Sequence, residues 1–280
     1  MSKLDLSAWV GRTEESRDQI SHNLVKRIAA TLGEHPPNLG DALPHLWHWA
    51  FFQEPLTAPG LGEDGHPARG GFLPPAENRN RMWAGSRLTF NHPLRVSAQV
   101  NRVSTILKVE EKQGSTGSLM FVTLRHEFFQ EGECAIIDEQ DIVYRAPSPP
   151  KLGMTDQLPH GQWCEPIQPN ATLLFRYSAV TFNGHRIHYD LPYATQCEGY
   201  SGLVVHGPLI ATLNLRAFVK ANPQTNIKQF NFRGVRPLIS PTTFEVGGLI
   251  IEPGKAQVWA GSGEGIAQWG EIVFSEGDNE

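Results

Sequence analysis

The densest set of chemically capable side chains in this 280-residue chain is Asn183-Gly184-His185-Arg186-Ile187-His188-Tyr189-Asp190. Three readings fit it. A hydrogen-bonded loop with a solvated face needs only the polarity. A metal site would draw on His185, His188 and Asp190. Their spacing matches no standard helical His pair, and no distant Cys or His cluster completes it, so no metal is predicted. Acid–base work is the third: a His takes and gives a proton near neutral pH, and an adjacent amide holds a water in line.

A second segment, Val204-Val205-His206-Gly207-Pro208-Leu209-Ile210, puts a glycine at the start of a predicted helix. Helix N-termini present unpaired N–H groups and the positive end of the dipole. Glycine also lets a carbonyl oxygen approach closely, so Gly207 is a candidate oxyanion site. A glycine needed only for the turn into the helix is the plainer alternative.

These segments must be held by surrounding elements. Ile20, Leu24, Ile28 and Leu32 recur at helical steps, which predicts a helix over Ser16–Leu32 stopped by Gly33. Residues 35–75 are irregular, with Trp47, Trp49, Phe51 and Phe52 expected against the core. The period then changes to two. Strands are predicted around Leu88–Phe90, Val96–Val100, Leu119–Leu124 and Ala135–Tyr144, with Gly114–Ser118 as a hairpin. A Pro-rich stretch, 146–166, reads as a linker. Beyond it come a short strand at Leu173–Phe175, the helix over Gly207–Val219, and extended runs at 229–232, 243–251, 255–260 and 271–274. Pro93-Leu94 and Pro237-Leu238 each precede a strand, a faint echo that favours two similar α+β units, 1–145 and 167–280.

Composition narrows the partners. Hydrophobic residues at 40% and charged residues at 19% suit a packed globular chain. A net charge of −5 argues against nucleic acid, which needs a dense basic face. Cys134, Cys164 and Cys197 form no CxxC pair, so neither zinc nor a disulfide framework is indicated. No apolar run is long enough to span a membrane, and the N-terminus lacks the apolar core of a signal peptide. A cytoplasmic protein is expected, with oligomeric state, a homo-oligomer included, left open.

The stretch Tyr177 to Asp190 followed by His206-Gly207-Pro208 resembles the MaoC-like family of (R)-specific enoyl-thioester hydratases. That family's signature is Asp, any residue, Asn, Pro, an aliphatic and His, then a His-Gly at the start of the central helix. Here Asn183 falls at the Asp, His185 at the Asn, Arg186 at the Pro, Ile187 at the aliphatic and His188 at the His. Phe182 to Asp190 is typical of the fused double hot-dog branch. Within it, the bacterial hydratases of itaconyl-CoA and mesaconyl-CoA are most similar. The resemblance implies an α+β tandem hot-dog fold, each half a helix wrapped by a curved antiparallel sheet.

It also implies an activity: reversible hydration of a short enoyl-CoA thioester, itaconyl-CoA or mesaconyl-CoA to citramalyl-CoA in itaconate degradation. No cofactor is expected beyond the CoA carried by the substrate. His188, Asn183, His185 and Gly207 would be catalytic, with His206 and Asp190 in support, Asp190 fixing a His tautomer. Asn183 departs from the family's carboxylate. An amide takes no proton, so proton transfer shifts to His188 with His185 while Asn183 orients water. A dicarboxylic acyl group needs a cation, and Arg186, Arg79, Arg81, Arg233 and Arg236 are the candidates. A fatty-acid-synthesis dehydratase and a non-catalytic acyl-thioester binding module are the alternatives. The first half has His45 and His48 but no such motif, and is expected to form a ligand wall, giving one active site per chain.

Overall fold

The computed structural model describes residues 6–68, 70–76, 79–114, 117–146 and 156–277. Strands β1 (Thr13–Gln19), β2 (Asn80–Phe90), β3 (Gln99–Gly114), β4 (Gly117–Gln130) and β5 (Glu133–Arg145) belong to the first half. Strands β6 (Trp163–Ile167), β7 (Thr225–Gly234), β8 (Phe244–Glu252), β9 (Lys255–Ser262) and β10 (Gly265–Glu276) belong to the second. All ten form one antiparallel sheet in the order β1-β3-β4-β5-β2-β7-β10-β9-β8-β6. The second half repeats the first half's order in reverse, which is the duplication expected from the sequence.

The halves join where β2 pairs β7, from Gly85 opposite Arg233 to Thr89 opposite Gln229. Close approach there requires a glycine: a Cβ on Gly85 would stand 2.2 Å from the Phe232 carbonyl oxygen. The Pro-Leu echo is also topological. Pro93 and Pro237 each lie three residues past the end of β2 and β7, respectively. Leu94 O accepts the Leu43 N–H, and Leu238 O accepts the Val205 N–H. Leu43-Pro44-His45 thus occupies in the first half the place of Val205-His206-Gly207 in the second.

Helix α1 (His22–Leu32) buries Val25, Ile28, Ala29 and Leu32 and ends at Gly33 in the left-handed region (φ 70). Helix α3 (Gly207–Ala221) is buried on nearly every side, so its sequence shows little polar periodicity. Full burial of Leu209, Leu213 and Phe218 contributes roughly 1.5–3 kcal/mol each. No counterpart of α3 occurs among the described residues between α1 and β2, which hold only short turns such as Trp47–Ala50. Trp47, Trp49, Phe51 and Phe52 are buried there, as expected.

Four expectations need correction. Residues 96–98, expected to open a strand, turn the chain with Ser97 in the left-handed region (φ 74), and β3 starts only at Gln99. Residues 16–19 are strand rather than helix, because Thr13–Gln19 pairs along β3 and the apolar helical period starts only at Ile20. Leu173–Phe175 is helical: it lies in α2 (Ala171–Val180), whose first turn is capped by Asn170 Oδ1 accepting the Leu173 N–H at 2.9 Å. The end of the expected linker, residues 163–166, is strand β6, paired with β8; residues 147–155 lie outside the described ones. The Gly114–Ser118 hairpin has Gly114 opposite Gly117, and its residues 115–116 are likewise outside them.

Asn170 is the only side chain capping α2's N–H groups among the described residues, so Asn170→Ala should lower unfolding free energy by about 1 kcal/mol. Urea titration at unchanged slope measures this; an unchanged midpoint would contradict the cap.

Candidate active site

Helix α2 ends at Val180, and Phe182 takes a left-handed conformation (φ 49) that turns the chain inward. Asn183 then closes a tight loop, its Oδ1 accepting the His185 N–H at 3.0 Å. The Tyr189 hydroxyl donates to Gly184 O at 2.9 Å and seals the loop. A short 3-10 turn at Arg186–His188 points His188 into the interior, where both His185 and His188 are buried.

His188 Nδ1 lies 2.7 Å from the Val204 carbonyl oxygen. A carbonyl only accepts, so Nδ1 carries the proton and Nε2 keeps its lone pair. Burial, then the nearby His206 and His185, hold the His188 pKa well below the ordinary imidazole range. His188 is therefore a neutral base at neutral pH. His206 stacks flat beneath it, centroids 3.7 Å apart, and hydrogen-bonds Ser178 Oγ through Nε2 at 2.8 Å. Burial pushes its own pKa to about 3, so it too is neutral.

Gly207 opens α3, and its N–H has no intrahelical partner. A Cβ built on Gly207 meets nothing within 4 Å, so its α-carbon borders open space. Its carbonyl is fixed from behind by Gln268 Nε2 at 3.1 Å, and Gln268 in turn accepts from Asn214 Nδ2 at 3.3 Å. His188, His185, Asn183 and Gly207 all line one cavity of about 980 Å³. A base, an amide and an oxyanion donor facing one space can deprotonate water and stabilise charge on a carbonyl oxygen.

The first half reaches into this site, which the sequence reading missed. Gly65 (φ +86) packs against Gly184 so tightly that a Cβ on it would stand 2.0 Å from the Gly184 oxygen. The Arg186 N–H donates to Asp64 O at 2.9 Å. His66, on the same loop, lines the cavity with its ring centroid 4.2 Å from that of His185. Glu198 is the second missed residue: its Oε1 is 3.9 Å from His185 Nε2, and its Oε2 accepts from Asn80 Nδ2 at 2.7 Å. Asp-Gly-His at 64–66 was a readable signal, since a glycine between two functional groups marks a tight turn. Glu198 carried none.

The candidate arginines separate. Arg186 does not line the cavity: it binds Asp190 Oδ2 through Nε (3.0 Å) and Nη2 (2.8 Å) and Glu63 O through Nη1 (3.1 Å). Asp190, engaged by Arg186 and by the Tyr193 N–H, fixes no His tautomer; the Val204 carbonyl does that for His188. It also follows that His185, His188 and Asp190 do not converge as ligands. Arg79 pairs with Glu111 at 2.8 Å, outside the cavity. Arg233 is exposed at the β2–β7 join. Arg236 lines the cavity but is tied to Glu264. Arg81 lines the cavity with no hydrogen bond or ion pair among the described residues, and its charge depresses the His66 and His126 pKa values after burial has done so. Arg102 joins it on the wall, 3.7 Å from Glu14, with a buried Nε that has no hydrogen-bond partner among the described residues. His48 is buried and His45 half-buried, and loss of hydration lowers them to about 3 and about 4, so both are neutral.

Fold and site together define a tandem hot-dog protein with an acid–base centre beside a helix N-terminus. A match to the family described as hydroxyacyl-thioester dehydratase type 2 spans residues 46–240, and the chain belongs to that family. It is 43% identical over 253 residues to mesaconyl-C(4)-CoA hydratase of Chloroflexus aurantiacus, covering 88% of this chain and 89% of that one. It is 27% identical to the mitochondrial hydroxyacyl-thioester dehydratase type 2 of Schizosaccharomyces pombe, covering 79% and 85%. A MaoC-like dehydratase from Phytophthora capsici shares the fold at TM-score 0.69 and 13% identity, covering 95% and 96%.

The two site glycines should respond oppositely to a methyl group. Gly65→Ala forces a left-handed residue against Gly184 and should cost about 2 kcal/mol or more. Gly207→Ala should change stability by less than about 1 kcal/mol, since it meets only open space. Denaturant unfolding of both variants measures the contrast; equal losses would contradict the loop docking.

Proposed function

We propose that this chain reversibly hydrates a short enoyl-CoA thioester whose acyl group bears a second carboxylate, of the mesaconyl-CoA or itaconyl-CoA kind, giving citramalyl-CoA. The carrying observation is Arg81, a guanidinium with no side-chain partner among the described residues, on the wall of the cavity that holds His188 and Gly207. A cavity for a plain alkyl chain gains nothing from an unpaired cation, whereas a carboxylate pairs with one. The 43% identity to mesaconyl-C(4)-CoA hydratase supports the same substrate class.

In the reaction, His188 Nε2 takes a proton from water as the water oxygen bonds the β-carbon. The double-bond electrons move onto the thioester oxygen, which the Gly207 N–H and the α3 dipole stabilise. Loss of one such donor typically costs about 3 kcal/mol. The enolate then collapses as the α-carbon takes a proton. Asn183, with Oδ1 held by the loop, has its amide N–H groups left to orient the water.

The family match favours one other reading, dehydration of (R)-3-hydroxyacyl thioesters in fatty-acid synthesis. A spectrophotometric comparison of mesaconyl-, itaconyl-, crotonyl- and longer enoyl-CoA esters separates them. Arg81→Met should lower kcat/KM for the dicarboxylic ester by ~10-fold or more, the worth of a charged hydrogen bond, and for crotonyl-CoA by less than ~3-fold. Equal effects on both esters, or rates rising with chain length, would move the assignment to the fatty-acid dehydratase.

A further inference from the structure

Asn183 removes the family's carboxylate from its usual place, yet two carboxylates flank this site. Asp64 Oδ2 stands 3.5 Å from His66 Nδ1. The His66 ring meets His185 at 4.2 Å, and His185 Nε2 stands 3.9 Å from Glu198 Oε1. The result is a row: carboxylate, imidazole, imidazole, carboxylate. Both rings line the cavity. The row is built from two halves of the chain and held at each end. Asp64 Oδ1 accepts the His66 N–H at 3.0 Å, and Gly65 locks onto Gly184. Glu198 accepts from Asn80 Nδ2 and from the Tyr193 hydroxyl at 3.3 Å. Burial would raise the Asp64 carboxyl, but His66 and His185 outweigh it and hold the acid below its ordinary value, so the charge persists.

We propose that this row is the proton-donating arm of the reaction: His185 delivers the proton to the α-carbon, while Glu198 and the Asp64–His66 pair hold its positive charge until transfer. This rests on the hydratase reading above. The steps balance. Neutral His188 accepts the water proton as hydroxide oxygen bonds the β-carbon. Cationic His185 protonates the α-carbon of the enolate and becomes neutral. The proton on His188 then returns to His185, whose ring lies 5.4 Å away centroid to centroid. One water is added and both imidazoles recover their starting states. His188 has no carboxylate beside it and stays a base; His185 has one on each side of its row and serves as the acid. Opposed environments of this kind separate acid from base. The charged and titratable groups set against His185 among the described residues include His66, His188, His206, Asp64 and Glu198. Asp64, His66 and Glu198 are positioning residues here.

The test uses the full chain, with crotonyl-CoA and mesaconyl-CoA, and reads kcat and KM across pH. Asp64→Asn can keep the Oδ1 acceptor for the His66 backbone N–H while it removes the charge and the second acceptor oxygen. Glu198→Gln removes the charge and one of two acceptor oxygens at the other end, and carries the test should Asp64→Asn fail to fold. Each should lower kcat by ~10-fold or more on both esters with KM changed less than ~3-fold. Unchanged kcat, or a change in KM alone, would overturn the proposal. Wild-type enzyme inactive on both esters would instead overturn the hydratase reading, and is seen before any variant is made.

Discussion

The site depends on one residue's backbone. Val204 N–H donates to Ile187 O at 3.0 Å, and Val204 O accepts from His188 Nδ1 at 2.7 Å. Two hydrogen bonds therefore stitch the histidine loop to the segment that starts α3. The second decides chemistry as well as geometry: it puts the proton on Nδ1 and leaves Nε2 as a base. Burial and the stacked His206 then keep that base uncharged. Val204 is itself held by its bridge to Ile239 and, one residue on, by the Val205–Leu238 hydrogen bond. The oxyanion glycine follows within the same stretch. Base and oxyanion donor thus share one support, so their spacing is set by sheet and helix rather than by a free loop.

The two halves use the same fold positions for different ends. At the place where the second half has His206-Gly207 and a buried helix, the first has Pro44-His45 and short turns. Freed from carrying a central helix, the chain between α1 and β2 crosses to the other half and delivers Asp64, Gly65 and His66 to its catalytic loop. The first half is more than a wall. Its strands supply Arg81 and Arg102 to the cavity, and Asn80 holds Glu198.

Much of this was legible in the sequence, for identifiable reasons. The strands showed because alternation has a period of two that survives without context. The histidine loop and the helix at Gly207 showed because their residues are contiguous. Arg81 was named, but only the fold separates it from Arg186, which sits inside the histidine motif and is spent on Asp190. Hidden features depend on contacts between distant segments. Ser16–Gln19 extends the helix on paper and instead belongs to a strand, Thr13–Gln19, that pairs with β3. Asn170 was a readable cap that a short apolar run, Leu173–Phe175, obscured. Glu198 and His66 meet His185 only after both halves have folded, and no local pattern announces that.

The central claim is that His188 rests as a neutral imidazole with its proton on Nδ1. Nitrogen-15 NMR of histidine-labelled protein reads protonation and tautomer directly. The structure predicts a neutral, Nδ1-protonated His188 at neutral pH, with its charging moved to lower pH than that of an ordinary histidine. An imidazolium at neutral pH, or a proton on Nε2, would contradict it.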